Sequence, residues 1–222
     1  MASRSPRLRR IESQFPEWFG FLLHRKSRSM YASLYQWYPC LSAPHIVEYQ
    51  HIGARLAVSI RAEVRFTRDV DLAISTLTDH DTETLVNRLR AKHYAVAAIV
   101  EQEATGRLAT VRLRSSSGTV VDLLAASCGI EPEIVARANT MKIGSAAIAV
   151  ARAEELLAMK VLSASKKRKQ DVNDAIALLQ CNPGLDLAVV ESNLGLIQQR
   201  GFHRQQDLAA KLESILIEWR SE

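Results

Sequence analysis

Asp69 and Asp71 stand two apart in the stretch Phe66–Ile74, whose core Val70-Asp71-Leu72-Ala73-Ile74 reads as a buried strand. At that spacing both side chains leave one face of the strand, about 7 Å apart along the chain. Two like charges beside an apolar run repel and are poorly solvated unless something positive sits between them. Mg²⁺ suits that position, or Mn²⁺ in its place. Such hard cations take oxygen ligands and are usually held by one or two carboxylates plus substrate phosphates. The plain alternative is an exposed strand start with the aspartates paired to Arg65 and Arg68.

Asp122 strengthens the first reading. It is the one charge in Thr119-Val120-Val121-Asp122-Leu123-Leu124-Ala125, where a carboxylate costs several kcal/mol unless it is paired or metal-bound. By alternation it shares a face with Val120 and Leu124. If the strands beginning at Phe66 and Thr119 lie side by side, three carboxylates meet. Three acidic groups around a pair of metals form the clamp for an in-line phosphoryl displacement. Alternatively, Asp122 bonds a nearby Arg or a helix N-terminus.

Lys160 follows Leu156 by four and Leu157 by three, so it lies over the apolar side of its helix. An inward lysine meets an anion, either phosphate or carboxylate, or else it covers the leucines with its stem and snorkels to water. The run Lys166-Lys167-Arg168-Lys169 then leads into Asp171 and Asp174. It is a phosphate-binding strip or a solvated interhelical loop, and the two acids suit a helix N-terminal turn.

The elements that must position these groups are uneven. Residues 1–45 mix aromatic and basic residues at no sustained period, apart from some helix between Glu17 and Tyr38. An extended piece at Ile46–Ile52 meets Gly53, and Ala54–Ala62 reads as helix. Asp79 or Asp81 is placed to cap a helix over Thr82–Lys92. Strands are expected near Leu108–Arg114 and Thr119–Ala125, joined by the hairpin loop Ser115-Ser116-Ser117-Gly118. A helix over Pro132–Ala138 and a strand over Ala146–Val150 follow. Helices then cover Ala153–Ala164, Gln170–Gln180, Leu187–Gln199 and Gln206–Trp219. The expected organisation is a poorly defined basic segment (1–45), a mixed α/β core (46–150) and a C-terminal helical region (151–222).

Composition agrees with a protein of this kind. A 47% apolar fraction in 222 residues can bury a sizeable core. No window approaches the ~20 apolar residues of a membrane span, and no clean secretory signal follows the basic start. The expectation is a cytoplasmic protein without membrane contact. Cys40, Cys128 and Cys181 are far apart and odd in number, so they fit a reducing compartment better than a disulfide framework or a CxxC metal site. Net charge is +5, and residues 1–30 carry all of it, with seven Lys/Arg against Glu12 and Glu17. Such an arm attracts polyanions, RNA included, or is simply a solvated tail.

The run Ala57-Val58-Ser59-Ile60-Arg61-Ala62-Glu63-Val64-Arg65-Phe66-Thr67-Arg68-Asp69-Val70-Asp71-Leu72 resembles the AbiEii/AbiGii-type nucleotidyltransferases. These form a bacterial, toxin-associated branch of the polymerase-β superfamily. Val121-Asp122-Leu123-Leu124 resembles that family's third-carboxylate strand. Glu155 to Lys160 resembles its helix with an inward lysine, and Arg168 to Asp174 its Arg/Asp-rich helix start. The resemblance spans about residues 52–180. It implies a polymerase-β-like α/β (α+β) core with a mixed sheet, followed by a C-terminal helical bundle.

By this resemblance Asp69 and Asp71 bind the metals, and Asp122 completes the site or acts as base. Lys160 contacts the nucleoside triphosphate with Asp171 orienting it, and Arg65 and Thr67 brace the loop. The reaction moves a nucleoside monophosphate from an NTP to a hydroxyl, in toxin members often on RNA such as a tRNA end, with a cognate antitoxin as partner. The family's Gly-Gly or Gly-Ser loop, whose N–H groups approach the phosphates, aligns with Ala54 and Arg55, and Gly53 comes one residue early. That departure supports the alternative of a catalytically degenerate fold acting as an RNA- or protein-binding module. A metal-dependent glycosyltransferase, which also uses Asp-x-Asp, ranks behind both, because the residues before Asp69 do not read as a nucleotide-binding half.

Overall fold

The computed structural model of the chain describes residues 51–52, 61, 69–103, 105–143 and 146–221. Gly53, Ala54, Arg55, Arg65, Thr67 and the segment 1–45 lie outside the described residues, as do nearly all of the expected helix Ala54–Ala62 and the piece 46–50.

The described strands form one mixed sheet. In chain order they are β1 (His51–Ile52), β2 (Asp69–Ala73), β3 (Ala95–Glu101), β4 (Leu108–Arg114), β5 (Val120–Leu124), β6 (Asn139–Ile143) and β7 (Ala146–Val150). Their spatial order is β3-β4-β5-β2-β1-β7-β6. β2 runs parallel to β5, and β1 parallel to β7. The remaining neighbours are antiparallel. The alternation of β4 is the clearest reason for the sheet's sidedness, since Ala109, Val111 and Leu113 are buried while Arg114 is exposed. Val70, Leu72, Val121 and Leu123 are buried on the neighbouring strands.

The helix α1 (Asp79–Arg90) packs on β3 and β4 through Leu85, Val86 and Leu89. It begins earlier than expected, and its N-cap is Thr78 rather than an aspartate. Thr78 Oγ1 accepts from the Asp81 N–H, and the Asp81 carboxylate accepts from the Thr78 N–H at 2.9 Å, which closes a reciprocal capping box. Those bonds, the side-chain one first, hold the Asp81 carboxyl below its usual range. The hairpin is present but its turn is one residue tighter than expected, since the Ser115 N–H bonds the Thr119 carbonyl; Gly118 takes φ +84 and its N–H bonds the Ser115 carbonyl.

After α2 (Glu131–Arg137) and the β6–β7 hairpin the described chain is helical: α3 (Ala153–Ser163), α4 (Lys169–Cys181), α5 (Leu187–Gln199) and α6 (Leu208–Ser221). α3 is central and packs against the other three. Every residue from Ala153 to Leu162 is buried, so its Glu154, Glu155 and Lys160 must find partners inside. Glu155 meets Arg137 at 3.4 Å. Among the described residues no helix is long and apolar enough to cross a membrane.

Candidate active site

The parallel ladder between β2 and β5 pairs Val70 with Val121, Asp71 with Asp122, and Leu72 with Leu123. On its other side β5 meets β4, where Arg112 pairs with Asp122. Asp71, Asp122 and Arg112 therefore form one row across three adjacent strands, on one face of the sheet. Neighbouring strands are roughly 4.8 Å apart, so two carboxylates of like charge are held close. Asp71 is 7% exposed and Asp122 8%. The residues flanking them in sequence, Val70, Leu72, Val121 and Leu123, are buried on the opposite face, and this fixes the direction in which the row points.

Arg112 grips Asp122 as a fork, with Nε donating to Oδ1 at 2.7 Å and Nη2 donating to Oδ2 at 2.6 Å. This is the bidentate geometry of a strong charge-assisted pair. Its side chain stays 43% exposed. Of the two settings the sequence allows for Asp122, the nearby arginine is present. Arg112 was not singled out from the sequence. Counting outward from the expected loop Ser115–Gly118 places Val111 opposite Asp122, but the hairpin closes one residue further in, with the Ser115 N–H bonded to the Thr119 carbonyl, and this brings Arg112 opposite Asp122.

Asp69 pairs with Val120, two positions before Asp122 on β5. Among the described residues no group of three or more His, Cys, Asp or Glu side chains forms a metal site. The described part of the expected set is the pair Asp71 and Asp122. Its donor chemistry, two hard and anionic oxygen ligands in one row, fits Mg²⁺ or Mn²⁺.

Lys160, on α3, is 5% exposed and does not snorkel to water. Its Nζ lies 3.0 Å from Asp171 Oδ1 and 2.7 Å from Asp174 Oδ2, both on α4 and both buried. Gln170 Nε2 donates to Asp174 Oδ1 at 3.0 Å. Arg168 Nε stands 2.8 Å from Asp171 Oδ2, but off the line of a hydrogen bond. The anions that meet the inward lysine are thus carboxylates. Arg168 is exposed together with Lys166, Lys167 and Lys169.

One further cluster escaped the sequence reading. The loop after β5 folds around Glu131, whose Oε1 accepts from the Ser127 N–H at 2.6 Å, the Ser127 hydroxyl at 2.8 Å and the Cys128 N–H at 2.8 Å. Its Oε2 accepts from the Gly129 N–H at 2.8 Å. Gly129 takes φ +82, and Phe202 lies where a Cβ at this position would stand. Arg204 donates to the Ser127 carbonyl, and Arg200 pairs with Glu133 at 2.7 Å. The end of the Asp122 strand is thereby fastened to the α5–α6 connection. Burial, and next the charge of Glu131, push the Cys128 thiol well above its usual range.

The fold so defined is a mixed α/β sheet carrying two buried carboxylates in register, followed by a helical bundle. No family model matches the sequence, and no curated protein matches it. Among solved structures the chain is similar to a putative nucleotidyltransferase from H. pylori, at 13% identity over 89% of this chain and 95% of that one, with a TM-score of 0.47. It is also similar to an antigenic nucleotidyltransferase-like protein from Paracoccidioides brasiliensis, at 21% identity over 84% of this chain and 91% of that one, with a TM-score of 0.42.

Proposed function

We propose that the protein is a metal-dependent nucleotidyltransferase that moves a nucleoside monophosphate from an NTP to a hydroxyl acceptor, RNA such as a tRNA end. The observation that carries this reading is the in-register pair Asp71–Asp122, buried on adjacent parallel strands of a sheet whose other face is apolar. Asp69, Asp71 and Asp122 would hold the cations. The chemistry that two Mg²⁺ (or Mn²⁺) ions supply there is polarisation of the α-phosphate and stabilisation of the pyrophosphate leaving group. The acceptor oxygen forms its bond to the α-phosphorus as the bond to pyrophosphate breaks, and Asp122 or solvent takes the hydroxyl proton. Lys160 is the triphosphate contact of this reading, and to reach a phosphate it would have to leave Asp171 at 3.0 Å and Asp174 at 2.7 Å. In this reading Gly53, Ala54 and Arg55 would approach the phosphates, and Arg65 and Thr67 would brace the loop. A cytoplasmic location and a toxin role with a cognate antitoxin belong to the same proposal.

A second reading, a degenerate fold serving as an RNA- or protein-binding module, draws on a different observation. Arg112 already neutralises Asp122 without a metal, and Ala54 and Arg55 stand where the phosphate loop favours glycine. Incubation with each α-labelled NTP, Mg²⁺ and total bacterial RNA separates the two. Label on RNA that vanishes in Asp69→Asn supports transfer. A folded protein that labels nothing, and shows no Mg²⁺-dependent NTP affinity in a titration, supports the module.

A further inference from the structure

Two residues beyond Arg112, at the end of β4, Arg114 leaves the strand on the same face of the sheet. The register sets it between Val120 on β5 and Ala95 on β3, just as Arg112 stands between Asp122 and Ala98. The two arginines differ in what they meet. Arg112 forks onto Asp122, whereas neither cross-strand neighbour of Arg114 carries a charge. Arg114 is exposed, and among the described residues its guanidinium makes no hydrogen bond or ion pair. The adjoining hairpin tip is engaged in bonds of its own, Ser115 Oγ with Ser117 Oγ at 2.8 Å and the Gly118 N–H with the Ser115 carbonyl. Ala95 and Ala98 add no bulk on the outer side. Strand spacing and rise put the Arg114 Cα roughly 8 Å from that of Asp122, so the guanidinium reaches the margin of the carboxylate site rather than its centre.

The side of the site matters. β1 lies across β2 from β5, and the chain passes from Ile52, the end of β1, straight into Gly53, where the segment that would approach the triphosphate begins. Arg114 stands on β4, on the opposite side of the carboxylate row. We infer that Arg114 takes a backbone phosphate of the acceptor strand, which runs along the β4 side of Asp122. A guanidinium fork matches two phosphate oxygens, and an acceptor without phosphodiesters would leave it unused. Arg114 binds substrate and takes no part in bond making. The inference rests on the nucleotidyltransferase reading and adds to it the residue that selects a polynucleotide acceptor.

The test is transfer from an α-labelled NTP to total bacterial RNA by the full-length chain, with the KM of each substrate measured over a range of salt. Arg114→Gln is expected to raise the RNA KM by about tenfold at low salt, the loss of one charge-assisted contact, and to leave the NTP KM and kcat unchanged. A phosphate contact contributes about 0.7 to 0.9 to the slope of log affinity against log salt. The variant's slope should be shallower by that amount, which a purely structural role would not produce. Arg114→Lys, which keeps the charge but loses the fork, should keep the slope and recover most of the RNA KM. An RNA KM and slope unchanged in Arg114→Gln overturn the inference, while transfer by the unaltered chain leaves the nucleotidyltransferase reading standing. A raised NTP KM with an unchanged RNA KM places the arginine on the triphosphate and overturns it too. Transfer to protein and not to RNA overturns the inference alone, and absence of transfer by the unaltered chain overturns both.

Discussion

Asp71 on β2 and Asp122 on β5 are direct partners in a parallel ladder, and both are buried. Parallel strands place equal register positions side by side on one face, so the two carboxylates are neighbours although 51 positions separate them in the sequence. Like charges directly opposite destabilise a sheet unless they are compensated, and Arg112 supplies that compensation to Asp122.

If the pair holds catalytic cations, Asp71→Asn and Asp122→Asn should each lower nucleotidyl transfer by about a thousandfold or more, the several kcal/mol that metal-borne charge stabilisation supplies. The fold should survive in both variants. Labelled-NTP assays and thermal melts on the same preparations check both parts. Full activity in either variant would remove the carboxylate pair from the mechanism.

Lys160 makes a different kind of prediction. It sits between Asp171 and Asp174, at 3.0 and 2.7 Å, with all three side chains buried. Lys160→Met leaves two buried carboxylates facing each other and should cost about 3–5 kcal/mol, the usual penalty for breaking a buried ion pair by removing one partner. Adding Asp171→Asn and Asp174→Asn should recover most of it. Urea denaturation of the single and triple variants measures both numbers. A single variant as stable as the original chain would mean that the lysine is not the keystone of this cluster.

How much of this was legible beforehand follows from the kind of signal each part leaves. β5 reads directly because one charge interrupts an apolar run, and Lys160 because it falls on the apolar side of a helix. Strands β3 and β6 leave no such mark. Ala95–Glu101 has five consecutive half-buried positions at its centre rather than alternation, and both strands lie at the edges of the sheet. The parallel register of Asp71 and Asp122 is a long-range fact that no local pattern encodes. Arg112 was not recoverable from the hairpin count, because the expected loop Ser115–Gly118 is one residue longer than the turn that closes between Ser115 and Thr119 and would place Val111 opposite Asp122. The cradle around Glu131 is made of backbone N–H groups, which every sequence possesses, so it had no signal at all.

The fastening of the β5 loop can be tested at Gly129. Its φ of +82 is unfavourable for any side chain, and an added Cβ would stand 2.5 Å from the Phe202 ring. Gly129→Ala should therefore destabilise by about 2–4 kcal/mol, combining left-handed backbone strain with overpacking. Combining it with Phe202→Leu should relieve the overlap but not the backbone strain, so recovery is partial. Chemical denaturation of both variants gives the split. Full recovery would show that the backbone conformation contributes little.

The last expectation concerns acid. Arg200 donates to Glu133 at 2.7 and 2.9 Å, and these bonds hold the Glu133 carboxyl below its usual range against a smaller opposing effect of burial. A carboxyl with a lowered folded-state pKa stabilises the fold at pH values above its unfolded-state pKa, near 4.5. That contribution fades as pH falls through the lower folded value. The unaltered chain should therefore lose stability between about pH 5 and pH 3 more steeply than Glu133→Gln, which has nothing to protonate. Arg200→Gln should flatten the same window by releasing the carboxyl to its ordinary range. Because the pair is partly exposed, high salt should shrink the difference. Urea midpoints for the three proteins from pH 3 to 7, in low and high salt, decide it: parallel curves would show that the Arg200–Glu133 contact makes no pH-dependent contribution to holding the helical region on the β5 loop.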